Sequence, residues 1–324
     1  MSREDVVRLT DLTVRYGPLT AVDRLSLEVP KGSVYALLGR NGSGKSSTVR
    51  CLLGQQKASS GKAHLFGHDS WKKRGRAMLR TGVVPENPDV PPETTAKRLR
   101  PFMARVTPRW SSTEFFSRLD AFDVPRQTRF DRLSKGQQRQ FALALALANS
   151  PELLILDDPT LGLDAVARRR LFEELVGDLA DRGTTVFMTT HDLAGVEGIA
   201  DRVGIMKDGS LLVNETMETL KARFCRLVWT ASEDVPPARI EAGLGHLEVI
   251  GTSAVGGTAE AVVSGFSEVG FGRFRQEAPV EVTRVDSLSL EEIFIACTKG
   301  TSGLSRPEPT QISDESKLVN EEVS

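Results

Sequence analysis

The sequence has few cysteines and no long apolar run, and these two absences narrow the class of protein. The three cysteines, Cys51, Cys225 and Cys297, are odd in number and far apart, which argues against a disulfide framework or a thiolate metal site. The longest apolar run covers residues 141–148, well short of the roughly 18 residues that a membrane helix needs. The first five residues lack the apolar core of a signal peptide. We therefore expect a reducing compartment, and another chain must supply any path across a membrane.

The sequence also lacks an excess of charge of either sign. Its 42 lysines and arginines nearly balance 43 aspartates and glutamates, which leaves a formal net charge of −1. A general nucleic-acid binder is usually strongly basic, so we expect no nucleic-acid partner. The length of 324 residues favours about two domains.

Strand and helix patterns divide the chain into three parts. Short apolar runs alternate with turns over residues 6–34, which predicts antiparallel strands. Strands then alternate with helices up to about residue 219, with a mainly helical stretch at about 87–150, and this order is typical of a parallel α/β sheet. Residues 220–300 predict a small α+β domain, with strands at 227–231, 247–250 and 280–285 and helices at 236–242 and 259–268. The polar residues 301–324 predict a disordered tail.

A glycine-rich segment follows the apolar run at residues 34–38. Residues 39–46 read Gly-Arg-Asn-Gly-Ser-Gly-Lys-Ser, which matches the phosphate-binding pattern G-x-x-x-x-G-K-[ST]. In that pattern backbone N–H groups surround phosphates, the lysine reaches the β- and γ-phosphates, and the final hydroxyl binds Mg²⁺. The predicted ATP-binding residues here are Gly39, Arg40, Asn41, Gly42, Ser43, Gly44, Lys45, Ser46 and Ser47.

A second apolar run, residues 153–156, ends in two carboxylates. A buried strand that ends in paired acids points them at something cationic. With a phosphate loop in the same sheet, Asp157 is predicted to bind the Mg²⁺ shell. Asp158 is then placed to act on the water that attacks the γ-phosphate.

The segment at residues 133–137, Leu-Ser-Lys-Gly-Gln, resembles the signature sequence of ATP-binding cassette (ABC) proteins, with Lys135 in place of a second glycine. The order of Tyr16, the phosphate loop, Glu86, this signature, Asp157 and His191 also fits, and the resemblance covers about residues 5–215. It implies a P-loop α/β cassette at 1–219 with an antiparallel β subdomain and a helical subdomain. It also implies ATP and Mg²⁺ as ligands, a second nucleotide-binding subunit forming a homodimer, and a membrane-spanning permease.

The resemblance implies further roles that compete with simpler structural ones. The signature residues Ser134, Lys135, Gly136 and Gln137 would reach the ATP of the opposite subunit, although Ser134 also fits a helix N-cap.

Three other residues have the same ambiguity. Tyr16 would stack on adenine or only pack under the strands. His191 would contact the γ-phosphate and the attacking water, or only pack or cap. Asp164 would lie at the dimer seam, and it also fits the N-cap of the helix that follows.

Two positions depart from the family pattern. Glu86 stands where a glutamine is usual, so it would keep a metal contact but change the charge of the site, unless it is only a solvated loop acid. Asp158 stands where a glutamate is usual, and its side chain is shorter by about 1.5 Å. Either the local backbone compensates for this difference or hydrolysis is slow.

The function that follows from the resemblance is ATP hydrolysis at the cytoplasmic face of a membrane. Residues 289–294, Ser-Leu-Glu-Glu-Ile-Phe, look like the accessory domain of ATPases of ABC-2-type exporters, which favours export. Two alternatives remain open: a soluble ABC ATPase without a membrane partner, and a regulatory subunit that binds ATP but hydrolyses it slowly.

Overall fold

The computed structural model describes residues 5–230, 248–255, 258–267, 269, 271–272 and 282–299. The chain forms two compact units, and each is described by itself. The first comprises Met1–Cys225 and Ser287–Thr298, and the second comprises Arg226–Asp286 and Lys299–Ser324. The helix predicted at 236–242 and the tail predicted at 301–324 lie outside the described residues. The domain boundaries predicted from the sequence stay a prediction.

The first unit contains two sheets and most of the helices. Its strands are β1 (Asp5–Tyr16), β2 (Leu19–Pro30), β3 (Val34–Gly39), β4 (Ser60–Leu65), β5 (His68–Asp69), β6 (Thr81–Val84), β7 (Leu153–Asp157), β8 (Thr185–Thr190), β9 (Arg202–Lys207) and β10 (Ser210–Thr216). Its helices are α1 (Lys45–Leu52), α2 (Arg74–Met78), α3 (Ala96–Val106), α4 (Ser112–Ala121), α5 (Lys135–Leu147), α6 (Ala165–Arg182), α7 (Leu193–Glu197), α8 (Met217–Arg223) and α9 (Leu290–Lys299).

An antiparallel sheet of four strands forms the first layer, in the order β2-β1-β4-β5. Buried and exposed side chains alternate along much of β2, for example at buried Leu25 and Leu27. This alternation is typical of a strand with one face on the core. The antiparallel strands predicted within residues 6–34 are therefore confirmed.

A six-stranded sheet forms the centre of the unit, in the order β10-β9-β3-β8-β7-β6. The pairs β9–β3, β3–β8, β8–β7 and β7–β6 are parallel, and only β10 runs antiparallel to its neighbour. All residues of β3 and β8 are buried, as expected of strands covered on both faces. The predicted parallel α/β sheet is thus confirmed.

Three helices, α3 to α5, lie between β6 and β7 in the sequence. Phe141 of α5 packs edge-on against Phe115 of α4 and Phe130, with ring centroids 5.5 Å apart in both pairs. All three helices lie within the mainly helical stretch that the sequence predicts at about 87–150. Pro101 lies inside α3, where it weakens the local helical pattern.

The second unit contains a four-stranded sheet, in the order β12-β13-β11-β14. Its strands are β11 (Cys225–Thr230), β12 (Glu248–Val255), β13 (Thr258–Ser264) and β14 (Val282–Ser287). The helix predicted at 259–268 is wrong, because Thr258–Ser264 is a strand paired antiparallel with β12. A short apolar run does not separate helix from strand by itself, and the tertiary pairing decides.

Helix α9 begins beside α7 of the same unit. The N–H group of Leu290 donates to Glu197 Oε2 at 3.0 Å, which satisfies one of the unpaired N–H groups of a helix start. Within the described ranges, no helix is both long and apolar enough to span a membrane.

Candidate functional site

The carboxyl ends of β3, β7 and β8 meet at one edge of the central sheet. The register places Leu38 opposite Thr190 and Asp157 opposite Thr189. Residues that follow these strands are therefore neighbours in space, although up to about 150 residues separate them in sequence. Crevices outside the carboxyl ends of parallel strands are the usual ligand sites of such sheets.

The loop after β3 has a backbone that only glycine accommodates at key points. Gly44 has φ 106°, and a Cβ there would lie 2.4 Å from the carbonyl oxygen of Ala21. A Cβ at Gly39 would lie 2.3 Å from Ser43 Oγ and 2.8 Å from the carbonyl oxygen of Met206. The loop thus turns tightly into α1, which points its N-terminus and its positive dipole end at this crevice.

Lys45 is the first residue of α1, and its ammonium group folds back over the loop. Nζ donates to the carbonyl oxygens of Gly39 at 2.6 Å and Arg40 at 3.2 Å. Burial lowers the pKa of Lys45, while the charges of Asp158, Asp157 and Glu86 oppose that change. One cation is therefore placed within electrostatic reach of all three carboxylates that the sequence selects.

Asp157 ends β7 and is held by the neighbouring strand. Its Oδ1 accepts a hydrogen bond of 2.5 Å from Thr189 Oγ1 on β8. Thr189 is completely buried, so this contact fixes the carboxylate orientation and leaves Oδ2 for another partner. Sequence reasoning missed Thr189, although a threonine at the end of a buried strand next to the acid strand was a usable signal.

Asp158 adopts a left-handed backbone conformation, with φ 51°. Its N–H group donates to Thr189, at 3.0 Å to the carbonyl oxygen and 3.2 Å to Oγ1. Its Oδ2 lies 2.8 Å from His191 Nδ1. The shorter side chain of aspartate thus still reaches the histidine that the sequence selects.

The other oxygen of Asp158 faces a different environment. Oδ1 is buried and has no hydrogen-bond partner among the residues that the structure describes. A buried acceptor without a partner is costly, so such an atom indicates a place for a ligand or water molecule.

Glu86 follows β6 and is half-buried. Its backbone carbonyl accepts a hydrogen bond of 3.1 Å from Arg139 Nη2 on α5. Arg139 is a second residue that sequence reasoning missed. Its position, five residues after Ser134 inside a polar helical turn, carried no recognisable signal.

The signature segment forms the start of α5. Ser134 is the N-cap: its Oγ accepts from the N–H group of Gln137, and Gln137 Oε1 accepts from the N–H group of Ser134, both at 3.1 Å. This reciprocal pair is a capping box. The structural role of Ser134 is therefore present, and an anion-binding role at the same helix end is compatible with it. Lys135 is exposed, and Gly136 is half-buried.

Tyr16 and Asp164 each have local hydrogen-bond partners. The hydroxyl group of Tyr16 bonds Gln56 Oε1 at 2.6 Å and lies 3.2 Å from Ser47 Oγ, while 43% of the residue is exposed. Its ring therefore stands beside the phosphate loop and open to solvent. Asp164 Oδ1 accepts from the N–H group of Ala167 at 2.8 Å, so Asp164 caps the start of α6.

The donor set suits Mg²⁺ in company with a nucleotide. Ser46, Asp157 and Glu86 offer only oxygen atoms, the ligands that Mg²⁺ prefers, and Mg²⁺ is usually bound by one or two carboxylates plus phosphates. In the part of the chain that the structure describes, no group of three or more His, Cys, Asp or Glu residues is arranged to hold a metal by itself. The oxygen atoms of Ser46, Asp157 and Glu86 are donors that suit Mg²⁺ bound together with phosphate groups.

These features define the class of protein: a P-loop nucleotide-binding domain with an acid pair and a histidine at the phosphate crevice. Comparison with known proteins gives the family. The family model described as ABC transporter matches residues 22–161. The chain is 34% identical over 221 residues to the bacitracin transport ATP-binding protein BcrA of Bacillus licheniformis, which covers 67% of this chain and 72% of the relative.

Two further similarities extend this result. The chain is 32% identical over 245 residues to the Nod factor export ATP-binding protein I of Ralstonia nicotianae, covering 72% of this chain and 75% of the relative. The solved dimeric structure of an ATP-binding cassette bound to ADP and Pi has a TM-score of 0.59 and 23% identity, covering 65% of this chain and 98% of that one. The chain belongs to the ABC transporter family.

Proposed function

We propose that this chain is the ATP-hydrolysing subunit of an ABC-type exporter, attached to the cytoplasmic face of a membrane through a permease. The observation that carries the hydrolytic part is the contact of 2.8 Å between Asp158 and His191. It lies at the sheet edge that also bears the phosphate loop. A carboxylate paired with an imidazole favours an active ATPase over a subunit that only binds ATP, because both groups are placed to act on a water molecule.

Each predicted residue has a chemical task in this proposal. The loop at residues 39–47 binds the phosphates with its N–H groups, and Lys45 pairs with the β- and γ-phosphates. Asp158 accepts a proton from the water that attacks the γ-phosphate, and His191 holds that water and the γ-phosphate. Tyr16 stacks on adenine through its exposed ring.

Mg²⁺ belongs to the same proposal. Ser46, Asp157 and Glu86 would hold it, and Thr189 keeps the Asp157 carboxylate in place. When bound, Mg²⁺ neutralises charge that develops on the phosphates.

The composite site needs a second chain. The family arrangement brings Ser134, Lys135, Gly136 and Gln137 of one cassette to the ATP of the other, and Asp164 to the seam between them. Because the chain carries one phosphate loop and one signature, we propose a homodimer with two shared sites.

The proposals of export and of a permease partner are supported by other observations than the hydrolytic site. The relatives at 32–34% identity are named for bacitracin transport and Nod factor export. Phe102 and Val106, four residues apart on α3, are 58% and 54% exposed. These two exposed apolar side chains share one face of α3, which is where we propose that the permease makes contact.

The test uses an Asp158→Asn chain, because an amide is a poor proton acceptor. We expect it to bind ATP with nearly the affinity of the parent chain and to release phosphate at least about a hundredfold more slowly. It should sediment as a dimer with Mg-ATP and as a monomer with Mg-ADP. Unchanged phosphate release would remove Asp158 from catalysis, and a monomer at saturating ATP would remove the composite site.

A matched control adds Gly136→Asp to the same chain. A Cβ at Gly136 would meet only Leu163 Cδ2 at 3.5 Å and Ser134 Oγ at 3.9 Å, so the substitution fits the fold. The added carboxylate repels the phosphate of the opposite subunit. This double variant should bind ATP and remain monomeric.

The membrane partner is tested by purification of the tagged chain from detergent-solubilised membranes. We expect a multispanning membrane protein in a fixed ratio, together with phosphate release that is absent from the Asp158→Asn complex. Recovery of active chain from the soluble fraction alone would favour the non-transport alternative.

A further inference from the structure

Arg139 of α5 lies close to two segments that are far from it in the sequence. Its Nη2 donates to the backbone carbonyl of Glu86 at 3.1 Å. A Cβ placed on Gly162, in the turn before α6, would lie 3.6 Å from its Nη1. The guanidinium group therefore lies between the Glu86 loop and the Gly162 turn, while its backbone belongs to the first turns of α5. Arginine suits this place because its planar fork presents several N–H groups at once.

The charges around Arg139 are those of the catalytic crevice. Burial lowers the pKa of Arg139, while the negative charges of Asp158 and Glu86 oppose that change. The same two carboxylates, with Asp157, act on Lys45. Two cations, Lys45 from the phosphate loop and Arg139 from the signature helix, thus share the carboxylates of one site in one chain.

Glu86 adds negative charge close to both cations. A carboxylate there adds one negative charge to a crevice that already holds Asp157 and Asp158 and must accept the phosphates of ATP. Like charges a few ångströms apart in a half-buried site repel each other, so a nearby cation favours the binding of ATP.

We propose that Arg139 is a positioning residue that balances the charge of Glu86 and holds the start of α5 against the Glu86 loop and the Gly162 turn. This inference rests on the proposed function, since it concerns the same ATP site. It assigns to Arg139 a role within its own chain, whereas the signature residues just before it serve the opposite chain. The hydrogen bond to the Glu86 carbonyl is independent of the side chain at position 86. The charge balance depends on that side chain, so the two contributions are separable.

The experiment is a double-mutant cycle of the parent chain, Arg139→Gln, Glu86→Gln and the double variant, read as the Kd of ATP. We expect Arg139→Gln to weaken ATP binding about tenfold, because it leaves Glu86 unbalanced next to the phosphates. Glu86→Gln sets the reference for the cycle, and every Kd is measured with metal-free ATP because Glu86 is itself proposed to hold Mg²⁺. The double variant should return to within about threefold of Glu86→Gln, since a neutral amide at position 86 needs no charged partner.

Equal weakening by Arg139→Gln in the parent chain and in the Glu86→Gln chain would overturn the proposal, because a purely structural role does not depend on the charge at position 86. An unchanged Kd in Arg139→Gln would overturn it as well. Because ATP binding is measured without turnover, a parent chain that binds ATP but does not hydrolyse it would defeat the proposed function and leave this test intact.

Arg139→Lys provides a second variant, which keeps the positive charge but lacks the planar guanidinium group with its several N–H donors. We expect its Kd for ATP to stay within about threefold of the parent value, since a point charge suffices for charge balance. A tenfold weakening in a folded Arg139→Lys chain would overturn the proposal, even if Arg139→Gln did not fold.

Discussion

The phosphate loop after β3 and the acid pair after β7 lie at the same sheet edge but are held in different ways. The loop is held mostly by its own residues: Lys45 bonds the carbonyls of Gly39 and Arg40, and Ser43 N–H bonds Arg40. The acid pair is held by residues more than 30 positions away, since Thr189 bonds Asp157 and His191 contacts Asp158.

This difference determines how easily each region is identified from the sequence. A local motif is legible in eight consecutive letters, because every group that shapes it is in the same segment. The acid pair is different, because the local sequence shows only the two acids. The residues that bond them come from elsewhere, and the register of β7 against β8 brings them into place. The two regions should therefore respond differently to substitution: the loop through direct loss of ligand contacts, and the acid pair through its supports.

Lys45→Ala should have the largest effect, because it removes the cation that pairs with the phosphates. We expect the Kd of ATP to rise about a hundredfold or more, since hydrogen bonds from charged groups contribute about 1.5–3 kcal/mol each. A binding titration with a fluorescent ATP analogue measures this effect. Lys62→Ala, on an exposed position of β4, is the control and should leave the Kd unchanged. Equal Kd values for the two variants would show that the loop does not bind ATP through Lys45.

Thr189→Val should have an intermediate effect confined to the acid pair. It removes the hydroxyl group that bonds Asp157 and the N–H group of Asp158. Loss of such a supporting hydrogen bond typically costs about tenfold to a hundredfold in metal affinity. We expect about a tenfold weaker apparent affinity for Mg²⁺ in phosphate-release assays, with metal-free ATP binding retained.

Thr185→Val is the matched control for that prediction. Thr185 lies on the same strand, is equally buried and bonds the N–H group of Gly32 away from the acids. Its apparent Mg²⁺ affinity should equal that of the parent chain. If both valine variants lose Mg²⁺ affinity alike, the effect belongs to β8 as a whole and the support by Thr189 is not specific.

Asp158→Glu should have the smallest effect. The left-handed backbone at this position suits Asp and Asn better than Glu, and a left-handed residue otherwise costs about 1–2 kcal/mol. We expect Asp158→Glu to lower the free energy of unfolding by about 1 kcal/mol and turnover by less than about tenfold, while Asp158→Asn keeps the parent stability. Denaturant unfolding and phosphate release measure both quantities. A glutamate variant that is both as stable and faster would mean that the backbone does not select the shorter acid.

Much of the fold follows from local patterns. The apolar runs at β3 and β7, the phosphate loop and the helix start at Ser134 are each encoded within a few residues, so they are predictable. The region at 258–264 is different. The strand there, in which Ala259 and residues 261–264 are buried, is set by its pairing with β12. The sequence run itself suits a helix as well as a strand, which is why the helix prediction failed there.

The sequence by itself determined the family, the phosphate loop and the identity of the two acids, because residue type and spacing within one segment carry that chemistry. Only the tertiary structure decided what supports them: Thr189 behind Asp157, His191 against Asp158, and Arg139 on the carbonyl of Glu86. The physical reason is that hydrogen bonds and charge balance act over a few ångströms in space. Sheet register and helix packing bring those partners together from distant parts of the chain, and no local pattern records the distance.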